Sequence, residues 1–352
     1  MSRAKLDESR YTMIIVPTLK CNFRCWYCYE NHEHKRMMSA NDLEKIELLV
    51  YKIIQTKNNL KTFDIQFFGG EPMIGYNKIV KPTLIFLKPI LDAAKIKMTV
   101  GITTNGYFFT KENLSFLRSY NLDNLQITFD GNKQRHNAVR FSHKGEDTFD
   151  VILNNVKMAL SLKIHVTVRL NISDETCLNV SDFLDSFESV SLPNRQFLLF
   201  SIQKVWQSSG AIENKIINIV EEIRKRGFES VSYYSSPSSI WNICYSDKVN
   251  QITINPDGEV FKCTARDFDN GAEGILKANG EIEWKDMYYK RLKSTPLGNS
   301  ECRKCSILPI CVGGCSQHIL ENSDDTKCIM LRTQEDKIIY ARNVLSEKLV
   351  TR

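Results

Sequence analysis

The 352-residue chain is 42% hydrophobic and carries 47 Lys and Arg against 41 Asp and Glu, a net charge of +6 at neutral pH. This accommodates one barrel-sized domain and a smaller one, each with a buried core. The charges are interspersed, which excludes a polyanion-binding tail, and no run approaches the roughly 20 unbroken apolar residues of a membrane span.

The N-terminal MSRAKLDESR lacks the apolar stretch of a signal peptide, so the expected location is cytoplasmic. In a reducing compartment the eleven cysteines read as metal ligands rather than a disulfide framework, and ten of them fall into short-spaced groups. From Met13 to about Trp206, short β-branched runs alternate with helical patterns, the mark of βα units around a parallel sheet. Six strands are predicted: Thr12 to Pro17, Phe63 to Phe68, Lys97 to Thr103, Asn124 to Phe129, Ile164 to Leu170 and Gln196 to Gln203. Ser39 caps a helix whose apolar face is Leu43, Ile46, Leu49, Val50, Ile53 and Ile54, and Thr110 caps another before Leu114 and Leu117. A helix from Glu213 to Arg226 ends at Gly227, and Tyr233 to Ser239 reads as a linker that places a domain boundary between residues 235 and 236. Beyond it, Asn250 to Asn255 and Glu259 to Cys263 flank Pro256-Asp257-Gly258 as a hairpin, cysteines crowd the chain, and Thr333 to about Lys348 closes it as a helix. The densest basic clusters, Lys35-Arg36 and Arg224-Lys225-Arg226, read as solvated surface, the alternative being a site for an acidic peptide or electron donor.

After the first strand comes Cys21-Asn22-Phe23-Arg24-Cys25-Trp26-Tyr27-Cys28. Spacings of three and two let one loop wrap three thiolates around a cubane cluster, leaving one iron without a protein ligand and open to a bound small molecule. The alternative is a zinc site with a distant fourth ligand. This C-x3-C-x-aromatic-C run, with Tyr27 at its aromatic position, resembles the signature of the radical S-adenosylmethionine (radical SAM) family. Gly69-Gly70-Glu71-Pro72, after the second strand, resembles that family's GGEP motif, which contacts the amino group of SAM. As local chemistry, the glycines admit close backbone approach and Glu71 offers an anionic acceptor. Asn105, Thr128, Arg169 and Asn171 lie at later strand ends. The resemblance puts them around SAM, with Thr128 and Asn171 near the ribose and Arg169 near the carboxylate, where Arg140 competes. Their plain alternative is turn satisfaction or a barrel ion pair.

Downstream, Cys244-x13-Gly258-x4-Cys263 and Cys302-x2-Cys305-x5-Cys311-x3-Cys315 are closed by Cys328. This spacing resembles the seven-cysteine SPASM domain of radical SAM enzymes, against a zinc-ribbon alternative. The resemblance implies an α/β fold: a partial (β/α)6 TIM-type barrel over residues 1–235, then a small α+β cysteine-rich domain over 236–352 with a hairpin and a C-terminal helix. It implies that Cys302, Cys305, Cys311 and Cys328 hold one auxiliary cluster and that Cys244, Cys263 and Cys315 hold another. With Cys21, Cys25 and Cys28 that makes three [4Fe-4S] clusters, besides SAM. Cys177 is left as a plain core thiol, and the six histidines, including His32, His34 and His165, show no ligand spacing.

The chemistry implied by the family is one-electron reduction of the SAM-bound cluster, cleavage to methionine and a 5'-deoxyadenosyl radical, and hydrogen abstraction from substrate. Enzymes of this two-part architecture mostly modify peptides or proteins. Sulfatase-maturing members carry an Asp directly after the cysteine of Gly-x4-Cys; here the position is Thr264, and Asp267 stands nearby as a substitute base. The expectation is therefore maturation of a ribosomally made peptide by crosslinking, with sulfatase maturation second and a non-catalytic electron carrier as the reading of another class. A flavodoxin or ferredoxin would donate electrons. A first strand beginning by about Thr12 leaves no room for an added winged-helix leader-binding domain, so leader recognition is expected from a separate protein, from the barrel surface, or not at all. No basic stripe interleaved with aromatics supports a nucleic-acid partner.

Overall fold

The structure, a computed structural model, describes residues 6–30, 36–205, 207, 213–233, 244–269, 271–321, 326–330 and 332–350. Its frame is a run of parallel strands, β1 (Arg10–Ile15), β2 (Thr62–Phe67), β3 (Lys97–Thr104), β4 (Leu122–Phe129), β5 (His165–Ile172) and β6 (Leu198–Lys204), bonded in chain order. Ile65 lies opposite Val100 and Ile127 opposite Val168. β3 and β5 are buried along most of their length, as strands are when helices cover one face and a core fills the other.

The helices that cover the sheet begin where capping residues dictate. Before α1 (Ala40–Thr56), Ser39 and Asp42 form a reciprocal capping box, and Leu43, Ile46, Leu49, Val50 and Ile53 are buried as the periodicity requires. α2 (Lys81–Ala93) links β2 to β3. Thr110 and Asn113 cap α3 (Lys111–Ser119) in the same reciprocal way. α4 (Lys133–Val139) and α5 (Phe149–Ser161) follow β4; α6 (Asp174–Leu178), α7 (Val180–Asp185) and α8 (Leu192–Arg195) follow β5. α9 (Glu213–Lys225) ends just before Gly227, which takes the positive φ of 78° that a side chain disfavours.

A seventh parallel strand, β7 (Val231–Tyr233), adds to β6, so Tyr233 is a strand residue rather than the start of a linker. The expected break at 235/236 falls in residues 234–243, outside the described residues, as do Lys35, His32 and His34. The downstream hairpin forms as predicted: β8 (Gln251–Ile254) and β9 (Glu259–Phe261) run antiparallel, with Asn255 Oδ1 accepting from the amides of Asp257 (3.0 Å) and Glu259 (2.9 Å) and Gly258 at φ 74°. It is not free-standing. β8 pairs in parallel with β1, Met13 opposite Ile252, and β10 (Gly274–Leu276) and β11 (Ile282–Trp284) extend the same sheet. The order is β11-β10-β9-β8-β1-β2-β3-β4-β5-β6-β7, so β7 and β11 are open edges and the barrel is partial.

Short helices follow, α10 (Asp286–Lys293), α11 (Ser300–Lys304), α12 (Leu308–Cys311) and α13 (Ser316–Glu321), with Cys302 in α11, Cys311 in α12 and Cys305, Cys315 and Cys328 outside them, before the closing α14 (Gln334–Val350). Among the described residues no helix is long and apolar enough to cross a membrane. Within the basic clusters, Arg226 is paired with Asp185, Glu188 and Glu222, and Arg36 with Asp257 at 2.6 Å.

Candidate active site

A cavity opens at the C-terminal ends of the parallel strands, the end where barrels of this kind collect their chemistry. Cys21, Cys25, Cys28 and Tyr27 form one wall. Facing them are Gly69 and Gly70 after β2, Thr104 and Asn105 closing β3, Thr128 of β4, and Arg169 and Asn171 of β5.

The cysteine loop is fixed from several sides. Gly70 N donates to Thr18 O (3.2 Å) and Glu71 N to Lys20 O (2.8 Å), which docks the loop after β2 against the residues before Cys21. A Cβ on Gly69 would stand 2.6 Å from Thr18 O, and one on Gly70 would stand 2.4 Å from Lys20 O; Gly69 also adopts φ 120°. The glycines thus serve the chain's own close approach, besides lining the cavity. His143 accepts from Arg24 Nε through Nδ1 (2.8 Å), which leaves Nε2 to donate to Cys21 O (2.6 Å). Asn105 Nδ2 donates to Asn22 Oδ1 (2.7 Å). Tyr27 OH donates to Asp130 Oδ2 (2.6 Å) and accepts from Arg140 Nη1 (2.8 Å), while Gln207 Nε2 donates to Tyr27 O (2.8 Å).

Two expectations change. Glu71 does not line the cavity: it is fully buried and caps the turn Pro72–Gly75, its Oε1 accepting from Met73 N (2.9 Å) and Thr104 Oγ1 (2.8 Å), its Oε2 from Asn105 N (2.7 Å). Burial pushes its carboxyl upward, opposed by these bonds. It is built as a brace for β3's end, one layer behind the cavity, and Pro72 starts the turn beside it. Asp267 also stands outside the cavity lining, half-exposed, with Oδ1 accepting from Asp269 N at 3.4 Å.

Arg140 and Arg169 both line the cavity but differ in their commitments. Arg169 Nε donates to Asn171 Oδ1 (3.0 Å). Arg140 is 7% exposed, 3.7 Å from Asp130 and bonded to Tyr27, and its Nε has no partner. A guanidinium on a cavity wall suits an anionic ligand group. The residues that the strand-end motifs did not single out are Phe68, Gln126, Lys204, Val205 and Gln207, all lining the same space. Of these, Gln126 and Lys204 were signalled only by lying in the latter half of a parallel strand.

Burial pushes the Cys21 thiol up to about 12 and raises Cys25 and Cys28, with Arg140 pulling the latter two back. Thiols so buried become thiolates only against a strong positive partner such as a metal cluster. Among the described residues no three His, Cys, Asp or Glu side chains converge at the spacing of a single metal ion. The three cysteines line one cavity.

The downstream cysteines separate into two groups. Burial raises Cys244 and Cys263, and each also feels Cys315; Cys244 Sγ lies 3.2 Å from Ser246 Oγ. Cys302 is raised by burial and then by the neighbouring Cys328, Cys311 and Cys305. Arg332 Nη1 reaches Cys311 Sγ at 3.6 Å. Cys177, in α6, packs half-buried against the barrel core, apart from the cavity lining.

Residues 15–176 match the Radical SAM superfamily. The chain is 23% identical over 351 residues to the radical SAM cyclopropyl synthase TigE of Paramaledivibacter caminithermalis, covering 90% of this chain and 70% of that one. It is 21% identical over 333 residues to a cysteine-type anaerobic sulfatase-maturating enzyme of Clostridium novyi, covering 87% and 88%. The solved structure of native anSMEcpe with bound AdoMet and Cp18Cys peptide superposes with a TM-score of 0.71 at 18% identity, over 97% of this chain and 98% of that one, a likeness of fold.

Proposed function

We propose, on the match of residues 15–176 to the Radical SAM superfamily, that this chain cleaves SAM reductively and uses the resulting radical to abstract hydrogen from a ribosomally made peptide, forming a crosslink. The observation that carries the proposal is the loop of Cys21, Cys25 and Cys28 forming one wall of a cavity whose other walls present Asn105, Thr128, Arg140, Arg169 and Asn171. Cys21, Cys25 and Cys28 would hold a cubane, which when bound would supply the electron for SAM cleavage.

The chain's residues bind and orient. Arg140, on the cavity wall and held by Tyr27 and Asp130, takes the SAM carboxylate. Thr128, Arg169 and Asn171 meet the ribose side, Tyr27 flanks the ligand between Cys25 and Cys28, and Gly69, Gly70 and Asn105 hold the cysteine loop in register. Glu71 acts through Asn105, whose amide it accepts. Phe68 and Val205 contribute apolar lining that keeps water from the radical.

Two further clusters on Cys302, Cys305, Cys311 and Cys328, and on Cys244, Cys263 and Cys315, complete the proposal as electron acceptors beside the barrel mouth. Residues 236–352 form their functional unit, and a flavodoxin or ferredoxin is the donor. Peptide maturation is preferred to sulfatase maturation on one observation. Thr264, where the sulfatase-maturing enzymes carry Asp, is bonded to Tyr245 OH at 2.7 Å, and Asp267 is not in the cavity lining.

The test is anaerobic reconstitution followed by incubation with SAM, dithionite and deuterated peptides encoded beside the gene. The expected result is about twelve irons per chain, a peptide mass loss, and deuterium in 5'-deoxyadenosine. Uptake that saturates near about four irons would sink the three-cluster count. Deuterium-free 5'-deoxyadenosine with every neighbouring peptide would sink the substrate class.

A further inference from the structure

The second cysteine domain contains a buried ion pair that nothing in the cysteine pattern requires. Arg291 of α10 and Glu273, just before β10, are each 3% exposed at the side chain and are joined by Arg291 Nε to Glu273 Oε2 (2.8 Å) and Nη2 to Oε1 (2.9 Å). Such a pair is weak evidence for stability, because desolvation consumes most of its Coulomb energy. Its connections point to another purpose.

One branch of the network reaches Cys244 Sγ, and two others bond the residues next to Cys315 and Cys263. Arg291 Nη1 donates to Ser316 Oγ (3.0 Å), the residue after Cys315, and Nη2 reaches Gln317. Ser316 Oγ stands 3.5 Å from Ser246 Oγ, which lies 3.2 Å from Cys244 Sγ. Glu273 Oε1 accepts from the amide of Lys262 (3.3 Å), the residue before Cys263. Lys262, 1% exposed, in turn donates its Nζ to the carbonyls of Lys248 (2.5 Å) and Gln251, fastening the stretch after Cys244 to the strand that precedes Cys263. Cys302, Cys305, Cys311 and Cys328 have no such link to the pair among the bonds that involve described residues.

We propose that the buried Arg291–Glu273 pair positions Cys244, Cys263 and Cys315 as one ligand face and, with its two charges balanced, holds the reduction potential of their cluster between the values that either charge alone would impose. This rests on the cluster assignment proposed above. Arg291 is the positioning residue: its guanidinium fork reaches Glu273, Ser316 and Gln317 together, which the point charge of a lysine does not. The potential follows from charge in a dry interior. A cluster gains negative charge on reduction, so a nearby cation favours the reduced form and a nearby anion opposes it. As a pair the two charges nearly cancel; each alone acts at full strength.

The experiment uses the reconstituted full chain carrying Cys21→Ala, Cys25→Ala and Cys28→Ala, so that only the two downstream clusters report. Iron is counted and both midpoint potentials are read by electron paramagnetic resonance (EPR) titration, the other cluster serving as internal control. If the triple-cysteine background holds only one cluster, the cluster assignment itself fails before the pair is tested. With both present, Glu273→Gln is expected to raise the potential of one cluster, Arg291→Met to lower that same one, and neither to move the other. Shifts of the same sign, or no shift with iron retained, overturn the electrostatic role. Should either variant lose the domain, Arg291→Lys keeps the charge and loses the fork. The expected result is full iron with an altered EPR signal of the one cluster, and an unaltered signal overturns the positioning role.

Discussion

The Tyr27 hydroxyl donates to Asp130 Oδ2 at 2.6 Å, tying the aromatic residue between Cys25 and Cys28 to the residue that follows β4. The cysteine loop is therefore referenced to the barrel's fourth strand as well as to its own first one. Tyr27→Phe removes this bond and the one from Arg140, leaving the ring but freeing its angle. The expected outcome is unchanged iron content and SAM affinity weakened by about five- to thirtyfold, the equivalent of about 1 to 2 kcal/mol for two buried bonds. Equilibrium dialysis on reconstituted protein measures it. An affinity equal to wild type would show that Arg140 and Asp130 hold the site without the tyrosine.

Glu71 separates a bracing role from direct SAM contact. Its carboxylate accepts from Met73 N, Thr104 Oγ1 and Asn105 N, all buried, and Glu71→Ala strands those donors. Each costs about 1 to 3 kcal/mol when left unsatisfied. The variant without iron or SAM should therefore unfold at markedly lower urea concentration than wild type. Unchanged apo stability with selective loss of SAM affinity would instead restore the direct contact that the motif alone suggested.

His136 gives the fold a pH dependence of its own. It is fully buried against Phe129 and Phe149, bonded through Nε2 to Thr148 Oγ1, and held neutral because burial, and then Arg140, disfavour its cation. The unfolded chain takes up that proton below about pH 6.5 while the folded chain does not. A depressed folded pKa means the contribution is fully present above about pH 6.5 and lost as pH falls, by about 1.4 kcal/mol per unit. Urea unfolding of the apo protein at pH 5.5 and 7.5 should show this slope, and His136→Gln should flatten it. Equal slopes in both proteins would assign the acid sensitivity elsewhere.

The strands were legible because β-branched runs of six to eight residues recur between capped helices; Ser39 and Thr110 mark helix starts by chemistry that needs no partner. β7, β10 and β11 were not, since three residues give too little alternation to count. The cysteine groupings came from spacing, and Cys21, Cys25 and Cys28 line one cavity. What sequence could not convey is direction: GGEP looks the same whether Glu71 faces the cavity or turns behind it to cap Met73. The pairings of Asp130 and Arg291 were not legible for a related reason, because their partners, Tyr27 and Glu273, are set by contacts between elements that are separate in sequence.

The central claim is that Cys21, Cys25 and Cys28 carry the SAM-cleaving cluster, and SAM cleavage measures it directly. Reconstituted wild-type protein incubated anaerobically with SAM and dithionite should release 5'-deoxyadenosine. The Cys21→Ala, Cys25→Ala, Cys28→Ala variant should release none, while keeping about eight of about twelve irons. Cleavage of SAM by the triple variant, or none by a fully loaded wild type, would contradict the account.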